Sequence, residues 1–233
     1  MIVVVGLPAY VGSADGGAAA VGGLAADVAA AAQARGAQVE LVGKIGDDGA
    51  GDAVVVAFGR AGIGHAALLR DAARPTPVLA VVAAAIDGGD AAAGDPGGDA
   101  ATDEEEPAVK LLPEDPAGRP SLDAGDVDLA LKYLPGARVI VIADAVSDAA
   151  MATAAEAASF AGARLVVLQL AGATANASSL LPAEATVLEA PAADDGSFAR
   201  VVGTFAAGLD AGVEPGPAFA AAVQTTGWEP AAD

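Results

Sequence analysis

The sequence predicts an α/β protein with a doubly wound, mostly parallel sheet and helices on both faces. Short β-branched apolar runs, such as IVVVG at 2–6, are typical of strands that are buried on both faces. These runs alternate with longer alanine-rich segments of helical patterning, and such alternation implies parallel pairing through crossover helices. The chain has 233 residues, which suits one domain spanning 1–233.

The predicted elements follow one another in the order that this class requires. Gly36 is the expected stop of the first helix, Gly62 of the second, and Ser147 the N-cap of the fourth. Proline in the first turn marks the start of the last helix. The predicted strands are 2–6, 39–46, 76–87, 138–144, 164–170 and 186–190, and the predicted helices are 22–38, 47–62, 126–134, 147–162, 197–209 and 215–224.

One long segment, 87–122, interrupts this order. Its first part, DGGDAAAGDPGGDAATDEEEP, is rich in Gly, Asp and Pro and has no period. Such composition favours a solvated, flexible acidic loop. The alternative is a divalent-cation patch at 103–106, although consecutive carboxylates without a shaping turn are a poor cage.

Charge and cysteine content exclude several classes of function. The net charge of −20 argues against nucleic acid or an anionic membrane as a partner, since both require basic patches. The absence of cysteine excludes disulfides, thiolate chemistry and cysteine-ligated metals. No basic region precedes the short apolar run at the start, and no stretch is typical of a membrane span. We therefore expect a cytoplasmic protein.

A motif of about thirty residues resembles the N-terminal signature of the ribokinase (PfkB) carbohydrate kinases. In that family a glycine pair opens a helix that carries a polar residue, and the next strand ends in V-G-x-[IV]-G-x-D-x-x-G. Gly22 and Gly23 match the pair, Asp27 the polar residue, and Gly46 and Asp48 the strand end. The segment FAAGLDAGVEPGPAFAAAV, from 205 onward, is similar to the family's C-terminal helix pair.

The resemblance implies phosphoryl transfer from ATP to a hydroxyl group, with a catalytic Asp beside the backbone amides of a glycine-rich turn. Aligned on FAAGL, the family's base position falls on Gly203, so the base and the glycines of the turn are lost. Asp195 or Asp194 is the alternative acid. The loop after the first strand is too short for the family's β-lid, and part of the nucleotide wall is missing after 190. Glu189 is a candidate remnant of the family's magnesium-organising segment.

The helix that follows Asp194 and Asp195 is itself a predicted anion site, because first-turn amides lack partners and the helix dipole is positive there. Ser197 is its expected N-cap, and Arg200 is the cation nearby.

These observations favour a catalytically degenerate carbohydrate-kinase-like protein that acts as a binding or scaffold protein. Its ligand would be a small polar molecule, a sugar or a nucleoside, bound near Gly22, Gly23, Asp27, Gly46 and Asp48, with no metal or cofactor expected. One alternative is an active sugar or nucleoside kinase that uses ATP and Mg²⁺ with Asp195 or Asp194. The other is a structural subunit that forms a homo-oligomer.

Overall fold

A computed structural model of the chain describes residues 1–12, 20–81, 109–110, 118–144, 146–170, 181–191 and 196–228. Ten strands and six helices are formed within these residues. The strands are β1 Ile2–Val5, β2 Ala9–Gly12, β3 Ala20–Gly22, β4 Val39–Gly46, β5 Gly64–Asp71, β6 Val78–Val81, β7 Val109–Lys110, β8 Val139–Ile142, β9 Arg164–Leu170 and β10 Thr186–Ala190. The helices are α1 Leu24–Ala34, α2 Gly49–Ala61, α3 Ala124–Tyr133, α4 Asp148–Ala161, α5 Ser197–Asp210 and α6 Pro215–Thr226.

The main sheet has six parallel strands in the order β10-β9-β8-β1-β4-β5. Its central strand β1 is buried on both faces, because Ile2 and Val4 pack with α1, α5 and α6 while Val3 and Val5 pack with α3 and α4. The predicted doubly wound sheet with helices on both faces is therefore confirmed.

A second, smaller sheet joins β3, β2, β6 and β7 in that order. The sequence predicts that 76–87 is a strand of the main sheet and that the loop after β1 is too short for a covering sheet. In the structure β6 belongs to the second sheet, and that loop supplies β2 and β3. The described parts of its strands are two to four residues long.

The outer strand beside β4 is β5, which begins at Gly64. His65 lies in this strand, and its Nδ1 is 3.0 Å from the carbonyl oxygen of Ile63. The segment GHAALLRD has a weaker apolar pattern than 76–87, because β5 is an edge strand with mostly half-buried side chains. The segment 76–87 therefore carries a stronger strand signal than β5, although β5 is the strand that pairs with β4.

The end of the predicted loop 87–122 is ordered rather than solvated. Val109–Lys110 pairs with β6, and Pro120 and Leu122 are buried. Asp123 then caps α3 in a reciprocal capping box with Asp126. The flexible acidic loop at 87–122 stays a prediction, since 87–108, which include the acidic run 103–106, and 111–117 lie outside the described residues.

The predicted cap residues agree with the structure except at α5, whereas the bounds of α1 and α3 differ from the predicted 22–38 and 126–134. Ser147 accepts a hydrogen bond from the amide of Ala150 and caps α4, as predicted. The N-cap of α5 is Gly196, whose φ of 86° lies in the left-handed region, and Ser197 is the first helical residue. The prediction of Ser197 as the N-cap is therefore wrong.

Gly203 lies well inside α5, where this helix crosses α1. A Cβ atom at this position would lie 2.5 Å from Ala31 Cβ, 2.7 Å from the carbonyl oxygen of Val28 and 2.8 Å from the amide nitrogen of Ala32. Glycine is thus required for the close approach of two helix backbones. Gly203 therefore serves helix–helix packing inside α5, and its correspondence to the family's base position stays a prediction.

Gly203→Ala is expected to destabilise the fold by about 1–3 kcal/mol through overpacking, despite alanine's higher helix propensity. Gly203→Asp is expected to prevent folding. The matched control is Gly59→Ala, since a Cβ at this exposed position in α2 would meet only His65 Cε1 at 3.9 Å. The control should be neutral or stabilising by up to about 1 kcal/mol. Urea unfolding measures both, and equal stability of Gly203→Ala and the parent would contradict the close packing.

Candidate functional site

The carboxyl ends of β1 and β8 border a cavity of about 200 Å³. Parallel α/β sheets bind ligands at this edge, because the strand-to-helix loops there leave backbone groups free to face a crevice. The cavity is lined by Gly6, Leu7, Ser121, Leu122, Asp123, Asp144, Val146 and Ser147.

Asp144 is the principal titratable group of this cavity. It follows β8 directly, and its Oδ2 accepts a hydrogen bond of 2.7 Å from the amide of Leu7. Burial raises the pKa of Asp144 above its usual range, although the Leu7 hydrogen bond and the charge of Arg119 oppose this shift. A Cβ at Gly6 would overlap the Asp144 carboxylate, so glycine at this position lets the carboxylate approach the end of β1.

The N-termini of α3 and α4 form the opposite side of the cavity. Asp123 accepts a hydrogen bond of 2.8 Å from the amide of Asp126, and Ser147 caps α4. Lys44 on β4 forms an ion pair of 2.5 Å with Asp126, which fixes the start of α3 to the main sheet. The cavity walls therefore belong to ordered elements.

The glycine pair is explained by local geometry. A Cβ at Gly22 would lie 2.7 Å from Val11 Cγ2, so this glycine permits packing within the second sheet. Gly23 is the N-cap of α1 with a φ of 94°, which favours glycine. Asp27 is exposed in the first turn of α1. Gly23 and Asp27 thus lie at the carboxyl edge as predicted, while a ligand role for these residues stays a prediction.

Asp48 and Gly46 belong to a hydrogen-bond network that closes the start of α2. Asp48 accepts hydrogen bonds from the amide of Gly51, the hydroxyl of Thr76 and the amide of Thr76, at 2.7–2.8 Å. The Thr76 hydroxyl also accepts a hydrogen bond of 2.9 Å from the amide of Gly46. Burial by itself raises the pKa of Asp48, but the bonds from Thr76 and Gly51 and the charge of Arg70 outweigh it and lower that pKa.

This network gives Asp48 and Gly46 a structural role. A Cβ at Gly46 would lie 2.5 Å from the amide nitrogen of Thr76. Asp48 connects the end of β4, the cap of α2 and the segment that leads into β6. The predicted ligand role of Asp48 therefore competes with three intramolecular hydrogen bonds.

The N-terminus of α5 lies at the same edge, since α5 packs beside α1 and follows a parallel strand. The amide of Arg200 donates to the carbonyl of Gly196 at 3.2 Å, and the Arg200 side chain is exposed. Asp194 and Asp195 lie outside the described residues. The anion-binding role of Ser197 and Arg200 stays a prediction.

The structure also bears on the metal and membrane predictions. Glu189 is exposed on the edge strand β10. Within the described part of the chain, no group of three or more His, Asp or Glu side chains could hold a metal ion. The described helices include none that is long and apolar enough to cross a membrane.

Asp144 was missed at the sequence level, although a usable signal exists. It ends the run RVIVIAD, and an acid directly after a buried parallel strand faces the ligand edge of this fold class. The family resemblance concerns glycine motifs instead, and the structure shows that Gly22 and Gly46 of these motifs serve packing.

Comparison with solved structures shows a ribokinase-like fold. Arabidopsis thaliana ribokinase complexed with ribose and ATP is 14% identical, with 97% of this chain and 90% of that chain covered and a TM-score of 0.62. Giardia lamblia ribokinase is 15% identical, with coverages of 97% and 91% and a TM-score of 0.63. A PfkB protein from Polaromonas is 12% identical, with coverages of 97% and 93% and a TM-score of 0.62. No family model and no curated protein sequence matches the chain.

Asp48→Ala is expected to destabilise the fold by about 1–2 kcal/mol, because it removes the N-cap of α2 and leaves buried Thr76 without its carboxylate partner. Asp52→Ala is the control, since Asp52 is an exposed acid of the same helix that contacts Arg70. Chemical denaturation should separate the two variants. Equal losses would contradict the structural role of Asp48.

Asp144→Asn is expected to leave the protein as stable as the parent or more stable at neutral pH. A carboxyl group whose folded pKa is raised lowers stability as pH rises from its ordinary value through the folded pKa. Asparagine keeps an acceptor for the Leu7 amide and removes this pH dependence. Urea unfolding of the variant and the parent across the acidic pH range tests whether the parent loses stability relative to the variant as the pH rises. A marked loss of stability of the variant at neutral pH would contradict this expectation.

Proposed function

We propose that this carbohydrate-kinase-like protein binds a small polyhydroxylated ligand, a sugar or a nucleoside, in the cavity at the ends of β1 and β8. The observation that carries the proposal is the position of Asp144 at the cavity, with one described hydrogen bond and a raised pKa. Burial of a carboxyl group is unfavourable unless it is fully paired, and such groups concentrate at functional sites.

The remaining lining fits a sugar ring. Ser121, Asp123 and Ser147 supply hydroxyl and carboxylate groups for hydrogen bonds to ligand hydroxyls. Leu7 and Val146 supply apolar surface for the C–H face of a ring. A few convergent polar groups on an apolar wall are typical of small-molecule sites.

Phosphoryl transfer is a second candidate, favoured by the start of α5 at Ser197. Asp194 and Asp195 precede Gly196, the N-cap of this helix, in the sequence and remain the alternative acids. Catalytic degeneracy is supported by glycine at position 203 and by the short connection between β10 and α5, which leaves little chain to wall a nucleotide. We derive no catalytic step from ATP, because Asp194 and Asp195 lie outside the described residues. Cytoplasmic location stays a prediction from the sequence.

Binding of ribose or adenosine should be detected by calorimetry and should weaken at least about tenfold in Asp144→Asn, because the ionised carboxylate accepts ligand hydroxyls more strongly than an amide does. Asp128→Asn, an exposed acid paired with Lys132, is the control with the same charge change. Absence of binding to a panel of sugars and nucleosides would contradict the proposal.

An ADP-release assay with Mg²⁺, ATP and ribose or adenosine as the phosphoryl acceptor tests the second candidate separately. Turnover that is lost in Asp195→Asn or Asp194→Asn would establish phosphoryl transfer. We expect no turnover above the background of ATP hydrolysis, and clear turnover in the parent would overturn catalytic degeneracy while leaving the ligand site intact.

A further inference from the structure

Resting on the proposed ligand site, we infer that the cavity accepts neutral hydroxyl donors and rejects their phosphate esters, with Asp144 as the residue that determines this specificity. The inference goes beyond a choice between sugar and nucleoside, since it excludes phosphorylated forms of both. Three features of the cavity carry it.

The first feature is the charge of the lining. Among the described residues that line the cavity, two are acids, Asp123 and Asp144, and none is basic. Recognition of phosphate in proteins relies on Arg or Lys side chains or on free amides. A phosphate ester would place its charge beside two carboxylates with no lining cation to compensate.

The second feature is that nearby cations are already engaged. Lys44 forms the ion pair of 2.5 Å with Asp126 at the start of α3. Arg119 interacts electrostatically with Asp144 itself. Attracting a phosphate would require separating these cations from their acids, which opposes binding of the charged form.

The third feature is capping of the two helices that start at the cavity. Helix N-termini favour anions, and this effect alone would favour a phosphate. However, the side chain of Asp123 is itself an anion at the start of α3, and Ser147 accepts from Ala150 at the start of α4. The carboxylate already present at α3 reduces the attraction for another anion.

The ionisation of Asp144 then controls affinity for neutral ligands. The charged groups that face it are Arg119 from the segment before α3 and Asp123 at the start of α3, while α4 begins with exposed Asp148. On the α1 side its close neighbour is Ala25, which is apolar. Because an ionised carboxylate accepts hydrogen bonds from hydroxyls and a protonated one does so less well, acid should weaken binding.

The test compares ribose with ribose 5-phosphate, and adenosine with AMP, by calorimetry on the full chain. We expect each neutral ligand to bind at least about tenfold more tightly than its phosphate ester. Affinity for ribose should fall as the pH is lowered through the raised pKa of Asp144, because the carboxylate takes up a proton there. Asp144→Asn should make the affinity for ribose independent of pH and should reduce the ratio of the affinity for ribose to that for ribose 5-phosphate. Asp128→Asn should leave the pH dependence and this ratio unchanged.

The outcomes separate this inference from the proposed function. Equal or tighter binding of the phosphate esters, with Asp144→Asn still weakening ribose, would overturn the inference and leave the ligand site in place. Failure of all four ligands to bind would overturn both. The pH profile of the parent protein supplies a measurement that does not depend on folding of the variant, and a flat profile would also overturn the role of Asp144.

Discussion

The backbone contact between α1 and α5 at Gly203 is the constraint on which the arrangement of the ligand edge depends. α5 follows the parallel strand β10, and the start of α1 at Gly23 lies near the carbonyl oxygen of Leu7, just after β1. A side chain at 203 would separate the two helices, because Val28 and Ala32 of α1 already touch this position with backbone atoms. The close crossing thus fixes α5 against the body of α1.

Sequence reasoning predicted the parallel sheet, its two helical layers and most helix ends, because these depend on local patterns. It failed where one residue type serves two purposes. Glycine permits close approach to a phosphate, but Gly203 permits close approach of a helix, and sequence spacing does not distinguish the two. The second sheet was missed because an apolar run such as 78–81 does not show by its pattern which sheet it joins. Asp144 was missed because the resemblance concerned other segments.

Asp48 and Asp144 show how similar acids at strand ends acquire different roles. Asp48 accepts three hydrogen bonds from its own chain, and its pKa is lowered, so its charge is stabilised by the fold. Asp144 has one described hydrogen bond, and burial raises its pKa, so the fold does not favour its charge. A carboxylate that the protein leaves incompletely compensated can gain from an external hydrogen-bond donor, and this difference favours Asp144 over Asp48 as the ligand-binding acid.

The same comparison explains why the motif that carried the resemblance does not identify the binding residues by itself. Gly46 and Asp48 organise the start of α2 and the segment from Thr76 into β6, whereas the cavity lies at the adjoining ends of β1 and β8. The Asp48–Thr76 contacts therefore hold the second sheet, and packing at Gly203 holds α5. Because these two supports share no residue, substitutions at one are expected to add independently to substitutions at the other.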